Sequence, residues 1–178
     1  FVNALYQLSQ AVLSSGREVN LIKGDKDCIN FPDMTLRKTE IADLDILFEF
    51  QLDKEAGYMA AFMPKDPTDK FAYINKYTNL LRDLSVNNQT IIVDDIIIGS
   101  VAKFIIDGDT EITYWIDRTF WGQGIATKAL KGFLEFEISR PILARVAFDN
   151  FGSQRVLEKC GFIKIGADKG FANARQME

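Results

Sequence analysis

Three β-branched runs crowd into residues 89–93, 96–106 and 110–117, and a helical repeat begins only a few residues after the last of them. Asp94 and Asp95 join the first two runs, and Asp107 and Gly108 join the second and third. Both pairs are two-residue hairpin signals. Consecutive hairpins force an antiparallel meander. Beyond the meander the period changes: residues 124–138 place Ile125, Ala129, Leu130, Phe133 and Leu134 at helical spacing, and Pro141 closes that repeat. Residues 142–148 then read as a strand, 152–159 as a helix and 162–165 as a strand. A meander continued by β-α-β crossovers predicts a mixed, mostly antiparallel central sheet with helices on both faces, an α/β (α+β) fold.

Upstream, residues 35–38 read as a short strand. Thr39 caps a helix carrying Ile41, Leu44, Ile46, Leu47, Phe48 and Phe50. Residues 53–65 read as a loop with an apolar cluster from Met59 to Met63. Asp66 followed by Pro67 reads as an N-cap and first helical position, opening a helix that sets Phe71, Ile74, Tyr77 and Leu81 on one side. At the start of the chain, Phe1, Leu5, Leu8, Val12 and Leu13 recur at helical spacing, so residues 1–14 are expected to form an amphipathic helix ended by Gly16. Residues 17–33 read as a linker. This divides the chain into an N-terminal helical appendage at 1–33, serving packing or homodimerisation, and a main domain at 34–178.

Composition narrows the function classes. The chain has 178 residues, 47% of them hydrophobic, enough for one domain with a sizeable core. A net charge of -4 disfavours a nucleic-acid partner. No run is long and apolar enough to span a membrane, and residues 1–15 lack the charged start of a signal peptide. Two cysteines, Cys28 and Cys160, read as reduced thiols of a cytoplasmic protein. The chain contains no histidine. Ser-His-Asp triads and histidine-ligated metals are thereby excluded, and no metal is expected.

The segment best suited to carry chemistry runs from Tyr114 through Trp115, Ile116, Trp121, Gly122, Gln123, Gly124, Ile125 and Ala126 to Thr127. A strand ends, a loop holds two glycines, and a helix starts at once. Amides in a first helical turn have no internal partner and sit at the positive end of the dipole, so such a turn can bind phosphate. Two glycines alone equally suit a plain strand-to-helix turn. The spacing is neither that of a dinucleotide-binding loop nor that of a P-loop.

Trp121 to Ala126 resembles the Q/R-x-x-G-x-G/A signature of the GNAT superfamily of acyl-CoA N-acyltransferases, with Trp in the first position. Residues 149–162, which include Asn150, Ser153, Arg155, Lys159, Cys160 and Phe162, resemble the N-x-x-S-x-R-V-L-E-K-x-G-F element of its ribosomal-protein-alanine acetyltransferase-like branch. The resemblance covers about residues 34–178. It implies acetyl-CoA as cosubstrate, with the pyrophosphate on the loop from Trp121 to Thr127. The pantetheine arm would lie beside Trp115 and Ile116, where the strand splays from its neighbour, with Asn150 hydrogen-bonding it. It also implies direct attack of an amine on the thioester, with no covalent enzyme intermediate. The acceptor pocket would be built from residues 53–65 and the helix after them. The amine itself, in a small molecule or a protein N-terminus, is left open.

An alkylamine is mostly protonated at neutral pH, so a proton acceptor is needed. Glu111 lies five residues before Ile116, roughly 17 Å along an extended strand. That is about the reach of a pantetheine arm. It reads either as this base or as a surface carboxylate at a hairpin exit. Ser153 reads as the group that assists the leaving thiolate, or as a helix cap. Arg155 reads as a phosphate contact or a solvent-facing side chain, and Cys160 as core. A CoA-binding sensor or interaction module without catalysis is the alternative from a different class. The resembled superfamily ends in one further strand after the 162–165 strand. Either that strand is absent here or a short one lies within 171–178, and its absence would leave a bare sheet edge and an incomplete acceptor pocket.

Overall fold

The computed structural model describes residues 2–9, 28–31, 33–61, 63–169 and 174–175. In chain order the elements are β1 (Val2–Leu8), β2 (Cys28–Phe31), β3 (Met34–Lys38), α1 (Leu44–Gln51), α2 (Lys54–Ala60), α3 (Lys70–Arg82), β4 (Asn87–Val93), β5 (Ile96–Ile106), β6 (Asp109–Ile116), α4 (Ile125–Phe136), β7 (Ile142–Ala147), α5 (Phe151–Lys159) and β8 (Ile163–Lys169). Among the described residues the strands form one eight-stranded sheet, ordered β2-β3-β4-β5-β6-β7-β1-β8. Every pairing is antiparallel except β6 with β7. The mixed, mostly antiparallel sheet expected from the sequence is therefore present. The two hairpins turn where expected, with Asp94, Asp95, Asp107 and Gly108 all at positive φ, the geometry that two-residue turns demand.

Register separates the two faces. Ala4, Tyr6 and Leu8 of β1, Ile112 and Ile116 of β6, and Ile142, Ala144 and Val146 of β7 are buried in one core cluster. Ala129, Leu130, Phe133 and Leu134 of α4 and Leu157 of α5 complete it, so α4 and α5 cover that face. A smaller cluster of Leu44, Phe48 and Tyr73 joins α1 to α3. There the Phe48 and Tyr73 rings meet edge-on at 5.3 Å.

Over residues 2–8 the expected N-terminal helix is not formed. Residues 2–8 are a strand, hydrogen-bonded on both sides and lying between β7 and β8. A slot between two strands selects period 2, and the alternation of Ala4, Tyr6 and Leu8 satisfies it where the helical spacing of Phe1, Leu5 and Leu8 does not. Residues 10–14 of the expected helix lie outside the described residues. The sheet thus takes an inner strand from residues 2–8. Of residues 171–178, only Ala174 and Arg175 are described, and they form a turn.

Three further boundaries differ. The segment read as a loop at 53–65 contains α2, because the Asp53 carboxylate accepts the amides of Glu55 and Ala56 at 2.9 and 3.0 Å and caps a helix. α3 starts three residues later than expected. Asp69 is its cap, through the Ala72 amide at 2.9 Å, while Asp66 folds onto Thr68 instead. Phe71 is consequently turned to solvent and Tyr73 takes the inward position. Thr39 caps nothing: its hydroxyl donates to Asn88 Oδ1 and lies 2.9 Å from the Thr90 hydroxyl oxygen. α4 ends before Pro141, where the Arg140 guanidinium donates to the carbonyls of Glu137 and Leu134.

Candidate active site

β6 and β7 pair at a single position, Glu111 opposite Leu143. From there towards Ile116 the two parallel strands share no ladder, which leaves a gap inside the sheet. The loop after β6 closes one end of that gap. Asp117 folds it by accepting the Thr119 amide at 3.0 Å, and the Trp121 indole N–H donates back to the Ile116 carbonyl at 2.9 Å. Gly122 and Gly124 come next with φ of 76° and 78°, and Gly124 is the N-cap of α4. Open space surrounds both Cα atoms, so the left-handed backbone, rather than crowding, is what calls for glycine. This backbone turns the first amides of α4 outward with no intrahelical partner.

A groove of about 520 Å³ runs along this loop and the gap. Trp115, Ile116, Trp121, Gly122 and Gly124 line it, as do Ile125, Ala126 and Thr127. Asn150 lines it from α5, and Arg155 and Lys159 supply positive charge along the same wall. Every cofactor-binding residue expected from the sequence except one is therefore gathered on a single groove. The exception, Gln123, lies on the outer surface and donates to the Thr119 carbonyl at 3.2 Å.

A second cavity, about 700 Å³, opens on the other side of Trp115. Its floor is the sheet face carrying Asn3, Ser100, Phe104, Glu111 and Arg145, and its wall is α3 with Asp69, Tyr73, Lys76 and Tyr77. Met59 and Met63 close the top. Glu111 is buried and ion-paired to Arg145 of β7. It is therefore not a surface carboxylate at a hairpin exit.

The two cavities share Met59, Ala60, Tyr114, Trp115, Asn150 and Ser153. At this junction the Tyr114 hydroxyl donates to the Ser153 carbonyl at 3.2 Å, and burial pushes the Tyr114 phenol well above its usual range. The Trp115 indole N–H is buried there without a hydrogen-bond partner. Asn150 is the N-cap of α5, accepting the Ser153 amide at 3.0 Å. Ser153 is thus not the cap, and it lines both cavities. Cys160 is core, its Sγ 3.7 Å from the Thr127 carbonyl.

α2 roofs the junction and is fastened at several points. Asn150 Nδ2 donates to the Met59 carbonyl at 3.1 Å. Arg118 pairs with Asp53 and Glu55 at 2.7 and 2.9 Å. Arg175 donates to the Tyr58 carbonyl, stacks on the Tyr58 ring at 4.1 Å and pairs with Asp149 at 2.7 Å. That pairing holds the Asp149 carboxyl below its ordinary range.

Sequence reasoning missed Asn3, Arg145 and the helical form of α2. Arg145 sits in a recognised strand but in a pattern that carries no signal of its own. Asn3 was hidden by the helical reading, although the alternation of Ala4, Tyr6 and Leu8 was available. Among the described residues no group of three or more metal-binding side chains converges, and no helix is long and apolar enough to cross a membrane.

Residues 33–163 match the family model described as an acetyltransferase (GNAT) domain. The N-acetyltransferase p20 of Bacillus licheniformis is 30% identical over 156 residues, covering 80% of this chain and 85% of that protein. Among solved structures, RimL, a ribosomal L7/L12 alpha-N-protein acetyltransferase in complex with coenzyme A, superposes with a TM-score of 0.65 at 18% identity, covering 76% of this chain and 83% of that one. The ribosomal-protein-S5-alanine acetyltransferase of Vibrio fischeri gives a TM-score of 0.63 at 19% identity, covering 78% and 84%.

Proposed function

This chain belongs to the GNAT acetyltransferase family, and from that premise we propose that it moves an acetyl group from acetyl-CoA to a primary amine by direct attack. The observation that carries the proposal is the meeting of a phosphate-suited groove with a carboxylate-floored cavity at Tyr114, Trp115 and Ser153.

The groove fits CoA on its own chemistry. Outward amides after Gly122 and Gly124, with Arg155 and Lys159 alongside, suit the pyrophosphate. The gap between β6 and β7 exposes strand backbone to an extended arm beside Trp115 and Ile116. The unpartnered Trp115 N–H gives a donor at the point where a thioester carbonyl or the end of the arm would lie.

In the larger cavity Glu111 takes the proton that the ammonium must lose, directly or through water. Its ion pair with Arg145 holds its carboxyl group in place. The amine nitrogen then bonds to the thioester carbon as the carbon–sulfur bond breaks, and the second proton the nitrogen loses in becoming an amide passes through Ser153 Oγ or solvent to the departing thiolate. Ser153 Oγ donates to the sulfur that leaves. In this reading RimL, an alpha-N-protein acetyltransferase, supplies the precedent of a protein N-terminus as acceptor, and a cavity of about 700 Å³ also has room for a small amine.

Calorimetric titration of acetyl-CoA into the wild type and Gly124→Glu tests the groove, because the variant puts a bulky anion into the phosphate cradle. Binding by the wild type, weakened by about a hundredfold or more in a folded variant, is expected. No binding by a folded wild type sinks the proposal.

A further inference from the structure

We propose that Asn3 recognises the acceptor, its side-chain oxygen accepting an N–H of the amine on the floor that also carries Glu111. The inference rests on the larger cavity being the acceptor site.

β1 lies outside residues 33–163, the part that matches the family model, yet it is an inner strand of the sheet. Asn3 is opposite Ala147, and Glu111 is opposite Leu143. Residues paired across a sheet point to the same side, and residues two apart on one strand do also. Asn3, Arg145 and Glu111 therefore project from one face, and all three line the same cavity. The other side of β1 is apolar, with Ala4, Tyr6 and Leu8 in the core.

Asn3 is only 4% exposed, and its Oδ1 is buried without a hydrogen-bond partner. A buried amide oxygen without a partner is a cost to folding that valine, a better strand former of similar size, would avoid. That cost is relieved when a ligand brings a donor. The acceptor class already implied by Glu111 brings one, since an amine carries N–H groups in both protonation states. With Arg145 occupied by Glu111, a carboxylate and an amide oxygen on one floor make a site for a nitrogen donor.

The test compares the wild type with Asn3→Val and Asn3→Asp. Acetyl-CoA affinity is measured by calorimetry, and CoA release is followed with a series of primary amines from methylamine to 1,6-diaminohexane. For the amine that the wild type uses, Asn3→Val is expected to raise KM about tenfold. Its kcat stays within about twofold, its acetyl-CoA affinity is unchanged and its Tm is not lowered. Asn3→Asp restores an oxygen and adds charge, so its KM is expected at or below that of the wild type.

A folded Asn3→Val with an unchanged KM overturns the inference while leaving the acetyl-transfer reading intact. Should Asn3→Val not fold, a raised KM in Asn3→Asp overturns it as well. Acetyl-CoA binding without release by any amine in the wild type overturns the acceptor reading itself, and this inference with it.

Discussion

Gly99 of β5 lies directly against Trp115 of β6: a Cβ built on Gly99 would run into the Trp115 carbonyl oxygen and sit 3.1 Å from the Ile116 Cα. The atoms in the way are backbone, so they cannot rotate aside. Gly99→Ala must push β5 and β6 apart just where β6 borders the groove. We expect a loss of about 2–3 kcal/mol in denaturant unfolding, together with weaker acetyl-CoA binding. Wild-type stability in this variant would show that the strands part at no cost.

Gly124 is held at φ 78° with nothing within 4 Å of a built Cβ. Gly124→Ala is therefore a conformational change without a clash. Its expected cost is about 1–2 kcal/mol, the penalty of a left-handed backbone, read from urea midpoints. A larger loss would mean that the loop is fixed by more than its dihedrals.

Removing the Glu111 charge should separate binding from chemistry. Glu111→Gln is expected to lower amine-dependent CoA release by roughly 10²–10⁴-fold. Acetyl-CoA affinity should stay within severalfold of wild type, since Glu111 lines the larger cavity and not the groove. Retained turnover would take the base role away from Glu111.

Acid should loosen the β3–α1 corner. Asp43 is buried, which pushes its carboxyl up. Two bonds from Arg37 at 2.7 Å, the Glu40 amide and the Thr90 hydroxyl outweigh that and leave it below its ordinary range. A carboxyl lowered in the folded state stabilises the fold above its unfolded pKa of about 4 and loses that contribution as pH falls through the lower folded value. Asp43→Asn should therefore cost about 2–4 kcal/mol at pH 7, and the gap to wild type should shrink below about pH 4. A gap that is constant with pH would contradict the charge-based account.

Cys160 should resist alkylation in the native protein. It is 2% exposed, and burial pushes its thiol up to about 11. At pH 8 only about one thiol in a thousand is ionised, and that thiolate is out of reach. Iodoacetamide followed by peptide mass spectrometry should find Cys160 unmodified until denaturant is added. Rapid native labelling would place it on an accessible path.

The middle of the chain was readable because its signals are local. Asp94, Asp95, Asp107 and Gly108 specify hairpins by their own backbone preferences, and Ile125 to Leu134 repeat long enough to identify one helical face. The groove was readable for the same reason, since Trp121 to Thr127 form one contiguous motif. What escaped depends on partners far away in sequence. Residues 2–8 become a strand only because β7 and β8 leave a slot. Whether Glu111 is a surface or a buried group is decided by Arg145, thirty-four positions later. The capping power of Asp53 competed with Gly57 and a short apolar cluster that resembles a loop.

The place of β1 also sets an order of events in folding. Val2 pairs with Lys169 and Asn3 with Ala147, so β1 has no partners until residues 142–169 have been made. Contacts of such long sequence separation form late, because loop closure must precede them. Until then the β7 and β8 edges stand open and accept any extended segment of suitable pattern. Chains emerging close together, with unpaired β1 strands and unfilled slots, are set up to exchange them.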